Sequence, residues 1–286
     1  MNYTKLLLLG FAALLSCATA DTFKAGKRIP LPGDGSWDYL TVDAAARRLY
    51  VTHGTRVHVI DLDQNSVTGD IAPTPGATSI ALTSVFDERV ALAPDLGRGF
   101  TSNGADATVT VFDLKTLATL QTLKVAGTKP DSILYDSFTQ RVFTFNGNSD
   151  NASAFDAVTG EALGTIELGG GPEFAVSDGA GNCYVNLEEA AVVVRIDPKN
   201  LAVTARWPLA PGAAATALAL DKANHRLFSG CRSKTLMVLN SDTGAIVANL
   251  PIGGGVDAIA LDPEPKRAYV GCGQGVVTVA RWTDAD

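Results

Sequence analysis

Concentrated positive charge is what this sequence lacks most plainly. Its 286 residues carry 23 Lys and Arg against 30 Asp and Glu, a formal net charge of −7, with no basic run longer than a pair. Nucleic-acid backbones and anionic lipid surfaces are held by clustered cations, so neither is an expected partner. Histidine is as scarce, with only His53, His58 and His225, on separate strands or turns, which leaves a histidine-based triad few places to form. There is no Cys-x-x-Cys or Cys-x-x-Cys-His, no Gly-x-Ser-x-Gly elbow and no Walker-type phosphate loop, so covalent haem, α/β-hydrolase and NTPase chemistry lose their usual support. Past residue 20 no stretch is apolar enough for a membrane helix, and no membrane span is expected.

The first twenty residues are of another kind. Lys5 supplies a positive end, Leu6 to Leu15 an apolar stretch, and Ala18-Thr19-Ala20 a small-x-small cleavage site before Asp21. Residues 1–20 therefore read as a secretory signal and 21–286 as the mature domain, periplasmic or secreted. Leu14-Leu15-Ser16-Cys17 also loosely matches a lipoprotein box, the alternative being a chain anchored through Cys17. Cleavage after Ala20 leaves Cys183, Cys231 and Cys272, an odd number. Cys231 and Cys272 end equivalent strands of adjacent repeats, farther apart than a disulfide spans, so free thiols are expected.

Self-alignment exposes a repeat. Short strands centre on Tyr50, Phe100, Phe143, Tyr184, Phe228 and Tyr269, spaced 50, 43, 41, 44 and 41 residues apart, with no amphipathic helical stretch between them. Each copy adds an apolar strand closing on Asp61, Asp113, Asp156, Asp197 or Asn240, then a turn such as Thr159-Gly160 or Thr243-Gly244, then a fourth strand. Four short strands per period of about forty residues are the blades of an all-β propeller. Six copies are visible. The last has three strands, and Phe23 to Leu31 resembles the outer strands elsewhere, so it is expected to complete that blade by pairing with Val276 to Trp282. In the second copy, Gly76 to Asp87 is expected to lengthen the connection into the inner strand.

The strand Tyr50-Val51-Thr52, its variants, and the opening Trp37-Asp38-Tyr39-Leu40-Thr41-Val42-Asp43 resemble the YVTN-repeat, YncE-like β-propellers of bacteria across essentially the whole mature chain. That resemblance implies seven blades, one more than the copies seen here. It also implies a ligand or partner platform, and for some relatives DNA binding, which the acidic balance here disfavours.

Candidate chemistry follows from register. Five residues before the end of each inner strand stand Asp38, Glu88, Asp131, Glu173, Thr216 and Asp257, five carboxylates in six copies. Radial blades would bring them to one channel mouth, where their repulsion raises pKa values or calls for a cation. Asp38, Asp131, Glu173 and Asp257 are candidate ligands for Ca²⁺ or another divalent ion. The competing reading has these acids accept loop hydrogen bonds. The ends of the second strands, His53, Asn103 and Asn146 with Leu187, Cys231 and Cys272, form a candidate outer ring. The expected function is a binding or scaffold protein, a monomer recognising a small molecule, cation or protein partner at the acidic mouth. The alternative is a metal-dependent, lactonase-like hydrolase using the same carboxylates.

Overall fold

The computed structural model describes residues 26–82 and 96–283. The signal segment, Cys17 and Glu88 lie outside them. Blade 1 holds β1 (Trp37–Asp43), β2 (Arg48–His53), β3 (Arg56–Asp61) and β4 (Ser66–Ile71). Blade 2 holds β5 (Ala77–Leu82), β6 (Arg98–Asn103), β7 (Thr108–Asp113) and β8 (Thr119–Lys124). Blade 3 holds β9 (Pro130–Asp136), β10 (Arg141–Asn146), β11 (Asn151–Asp156) and β12 (Ala162–Glu167). Blade 4 holds β13 (Pro172–Ser177), β14 (Cys183–Leu187), β15 (Val192–Asp197) and β16 (Ala202–Pro208). Blade 5 holds β17 (Ala215–Asp221), β18 (Arg226–Cys231), β19 (Thr235–Asn240) and β20 (Ile246–Pro251). Blade 6 holds β21 (Val256–Asp262), β22 (Arg267–Cys272) and β23 (Val276–Arg281). Every sheet is antiparallel in chain order, and the molecule is a six-bladed β-propeller. Among the described residues no helix is long and apolar enough to cross a membrane.

The alternation of the sequence explains which strands sink. The second and third strands of blades 2 to 5 carry no charge in mid-strand except Arg195, and they are buried almost throughout. Their side chains fill the space between blades: Phe143, Phe145 and Ile166 of blade 3 pack with Ala175, Val185 and Leu187 of blade 4 in one continuous cluster. Cys183, Cys231 and Cys272 are buried and free, as expected. Arginines clamp neighbouring blades. Arg48 donates to the Leu114 carbonyl at 2.5 Å, and Arg141 to the Pro198 carbonyl at 2.6 Å, each reaching the turn between the third and fourth strands of the next blade.

Those turns are closed by the acids that end the third strands. Asp156 Oδ1 accepts from the backbone N–H groups of Val158 and Thr159 at 2.9 and 2.7 Å, and Asp61, Asp113, Asp197 and Asn240 repeat the motif. The role is structural, a side chain mimicking a backbone turn. In the turn after Asn240, Gly244 has φ +74°, and a Cβ there would run into the Trp207 ring of the preceding blade. Gly244→Ala combines left-handed strain with overpacking and is expected to cost about 2–4 kcal/mol, measured as a lowered urea midpoint at unchanged m.

Successive inner strands pack β1 on β5, then β9, β13, β17 and β21, whereas no comparable packing joins β21 back to β1 among the described residues. The flank of β1 on that side is bare, with Trp37, Leu40 and Val42 about half exposed. The expected closure by Phe23 to Leu31 is not formed over its described part: residues 26–31 enter no ladder, and the last sheet has three strands.

Candidate functional site

Every inner strand breaks register with its neighbour near its start. In β5 the pairs Ala77↔Asn103 and Ser79↔Ser102 leave Thr78 unpaired. Asp131 in β9, Thr216 in β17 and Asp257 in β21 are left over in the same way. In β1 and β13 the irregular pairs Asp38-Tyr39 and Glu173-Phe174 each oppose a single residue. A β-bulge turns its extra side chain out of the pleat, and six of them at equivalent positions aim six side chains at one point.

They meet in a cavity of about 60 Å³ lined by Asp38, Tyr39, Thr78, Asp131, Ser132, Glu173, Phe174, Thr216 and Asp257. Hydroxyls and an amide tie the inner strands at four successive blade junctions: Thr78 Oγ1 donates to the Pro130 carbonyl at 2.9 Å, Ser132 Oγ to that of Glu173 at 2.5 Å, and Thr216 Oγ1 to that of Val256 at 2.7 Å. Asn186 Nδ2 supplies the fourth tie, to the Ala217 carbonyl at 2.9 Å. The carbonyls of Pro130, Glu173, Ala217 and Val256 are thereby satisfied, which ties neighbouring inner strands together.

Four carboxylates in so small a space affect one another's ionisation. Burial, helped by Asp131 and Glu188, pushes Glu173 up to about 8, and burial with repulsion from Asp131 and Asp257 pushes Asp38 up to about 6. Tyr39 is pushed up to about 12 by burial and by Asp257. Two cations partly offset the charge: Lys129 Nζ lies 2.8 Å from Asp131, and Arg232 lies 2.7 Å from Glu188 and 3.8 Å from Asp257. The Tyr39 and Phe174 rings sit 4.8 Å apart, giving the acidic mouth an aromatic wall.

Asp38, Asp131, Glu173 and Asp257 are thus brought together, as their spacing foretold. Other expectations are corrected. The second inner strand is Ala77–Leu82, so Thr78, not Glu88, holds the blade 2 position, and the extra residues follow β5 from its far end instead of preceding it. The signal was present in Ala77-Thr78-Ser79-Ile80-Ala81-Leu82, which parallels Ala215-Thr216-Ala217-Leu218-Ala219-Leu220. Nor do the four carboxylates form a metal cage: among the described residues no group of three or more His, Cys, Asp or Glu side chains is placed to hold one ion.

The candidate outer ring also faces elsewhere. His53, Asn103 and Asn146 are buried, because the last residue of each second strand turns toward its own third strand. Asn103 Nδ2 donates to Thr108 and Thr110 at 2.9 Å each, and Asn146 Nδ2 to Asn151 and Ser153 at 2.8 and 3.0 Å. His53 Nδ1 lies 3.0 Å from His58 Nε2, and His58 Nδ1 lies 2.6 Å from Asp70. A carboxylate only accepts, so His58 carries a proton on Nδ1, and in the neutral imidazole its Nε2 accepts from His53 Nδ1–H. Trp37 stacks flat on His53 at 3.7 Å and closes the relay from solvent.

No protein-family model and no curated protein matches the chain. Among solved structures it is similar to a chain of Kuenenia stuttgartiensis hydrazine synthase, with a TM-score of 0.56 and 16% identity over 84% of this chain and 93% of that one. At that identity the likeness concerns the fold alone, and one fold carries many functions.

Proposed function

We propose that this chain is an exported binding propeller whose acidic mouth receives a cationic group, an ammonium or guanidinium, presented by a small molecule or a protein partner. The observation that carries the reading is the convergence of Asp38, Asp131, Glu173 and Asp257 with the Tyr39 and Phe174 rings on one opening. Carboxylates neutralise such a cation, and aromatic faces attract it. The opening of about 60 Å³ suits the tip of a side chain or an alkylamine, far below the several hundred Å³ that engulf a whole metabolite. Export is supported by the composition of residues 1–20, and kinship with the YVTN-repeat propellers by the repeat residues themselves. The hydrolase alternative is the weaker one, for want of a metal-ligand set among the described residues.

The test is thermal unfolding with propylammonium against propanol, its neutral isostere. At a hundredfold excess over Kd, propylammonium is expected to add about 2–3 kcal/mol, a rise of several degrees. Asp38→Asn and Asp131→Asn together should abolish the gain. Equal responses to the two compounds in the parent protein would remove the basis for cation recognition.

A further inference from the structure

The acidic mouth is already met by an ammonium of the protein's own. Lys129 Nζ lies 2.8 Å from Asp131 Oδ2, and the lysine side chain is 49% exposed where that of Asp131 is only 20% exposed. One member of the pair is free to swing into water. The other is sheltered in the cavity that the carboxylates line.

The backbone that aims this lysine is unusual. In blades 2, 3, 5 and 6 the residue just before the first paired residue of the inner strand, Gly76, Lys129, Ala214 or Gly255, has a positive φ. Glycine adopts that conformation freely, and a residue with a Cβ resists it. Lys129 nevertheless stands at φ +52°, directly before Pro130. Its neighbours impose the conformation: Thr128 N–H donates to Ser149 Oγ at 2.8 Å, and Gly147 N–H donates to the Lys129 carbonyl at 2.9 Å. The turn itself asks for no charge, since Ala214 and two glycines serve it in other blades. A charged side chain held against its backbone preference at the rim of a site points to a role for its position.

We propose that Lys129 is a tethered competitor for the cation site: its ammonium rests on Asp131 and yields that carboxylate to an incoming ammonium group. The inference rests on the cation reading of the mouth. Because Lys129 stays attached, it faces Asp131 at a high effective concentration and sets the affinity that a ligand must exceed. Its half-exposed side chain loses little by moving, since water solvates the displaced ammonium.

The test compares apparent Kd values for propylammonium, from thermal unfolding over a concentration series, in the parent, Lys129→Gln, Asp131→Asn and the double variant. Lys129→Gln is expected to tighten binding about fivefold, the strength of a modest ion pair. In the Asp131→Asn background the same substitution should change Kd by less than about twofold, because the seat for which the two ammoniums compete has lost its charge. Lys129→Gly, which also relieves the left-handed backbone, should match Lys129→Gln in Kd. The inference is overturned if both Lys129 variants bind no tighter than the parent, or if Lys129→Gln tightens binding equally with and without Asp131, as a charge acting from a distance would. In either case the parent still answers propylammonium, and the cation reading survives. If none of the proteins distinguishes propylammonium from propanol, both fall together.

Discussion

Glu173→Gln is expected to leave stability almost unchanged near pH 5 and to raise it above that of the parent protein at pH 9. The parent carboxyl is lifted from its ordinary 4.5 to about 8, first by burial and then by Asp131 and Glu188. Between those two values the native chain holds a proton that the unfolded chain has released, so stability falls as pH rises through the window. Below 4.5 both states are protonated, and the full contribution is present. Glutamine copies the neutral form and removes the slope. Glu173 is partly open to the channel, so solvent screening reduces the effect to about 1–2 kcal/mol at pH 9. Urea midpoints at pH 5, 7 and 9 measure it. An identical slope in the variant would show that Glu173 titrates normally and that the mouth is wetter than its geometry indicates.

The same proton sets how the mouth treats a cation. Ionised Asp38 and Glu173 are the forms that attract an ammonium group, and these acids are pushed up to about 6 and about 8. Raising pH across this range therefore weakens the free protein while sharpening its attraction for a cation, because proton and ligand compete for one set of oxygens. A bound cation recovers what deprotonation costs. This opposition is what the proposed cation site predicts. Acids held by loop hydrogen bonds, such as Asp113, Asp156 and Asp197, are shifted downward by the backbone N–H groups that cap them.

That contrast explains what the sequence made legible. Asp156 and Asn240 announced their turns through the Thr-Gly chemistry that follows, since a turn is local and its residues adjacent. The mouth was legible through counting, because a bulge at one fixed position of each blade keeps Asp38, Asp131, Glu173, Thr216 and Asp257 in step. Counting failed at Glu88, where the extra residues of blade 2 were assigned to the wrong end of β5. It failed differently at His53, Asn103 and Asn146. Their distance from the channel in sequence terms was right, but strand alternation sends the end of a second strand into the blade, and a one-residue change of face reverses the reading. The lack of packing between β21 and β1 among the described residues left no local signature, because closure depends on summed blade angles that no short segment encodes.

His58→Ala is expected to have the largest effect on the fold, about 3–5 kcal/mol, from the combined loss of packing and of two hydrogen bonds. His58 is completely buried and accepts from His53 on one side while donating to Asp70 on the other. Removing it orphans a buried imidazole N–H and Asp70 Oδ1 at once, because Arg56 lies 3.2 Å from the other oxygen, Oδ2. Asp70→Asn is the informative comparison. An amide oxygen still accepts from His58 Nδ1, so that variant should lose only about 1 kcal/mol through the charge-assisted part of the bond. Trp37→Ala should fall between, uncovering His53 and removing the stack. Urea denaturation of the three variants orders them. If His58→Ala costs no more than Asp70→Asn, the two histidines are not a connected relay, and the tautomers assigned to them lose their physical basis.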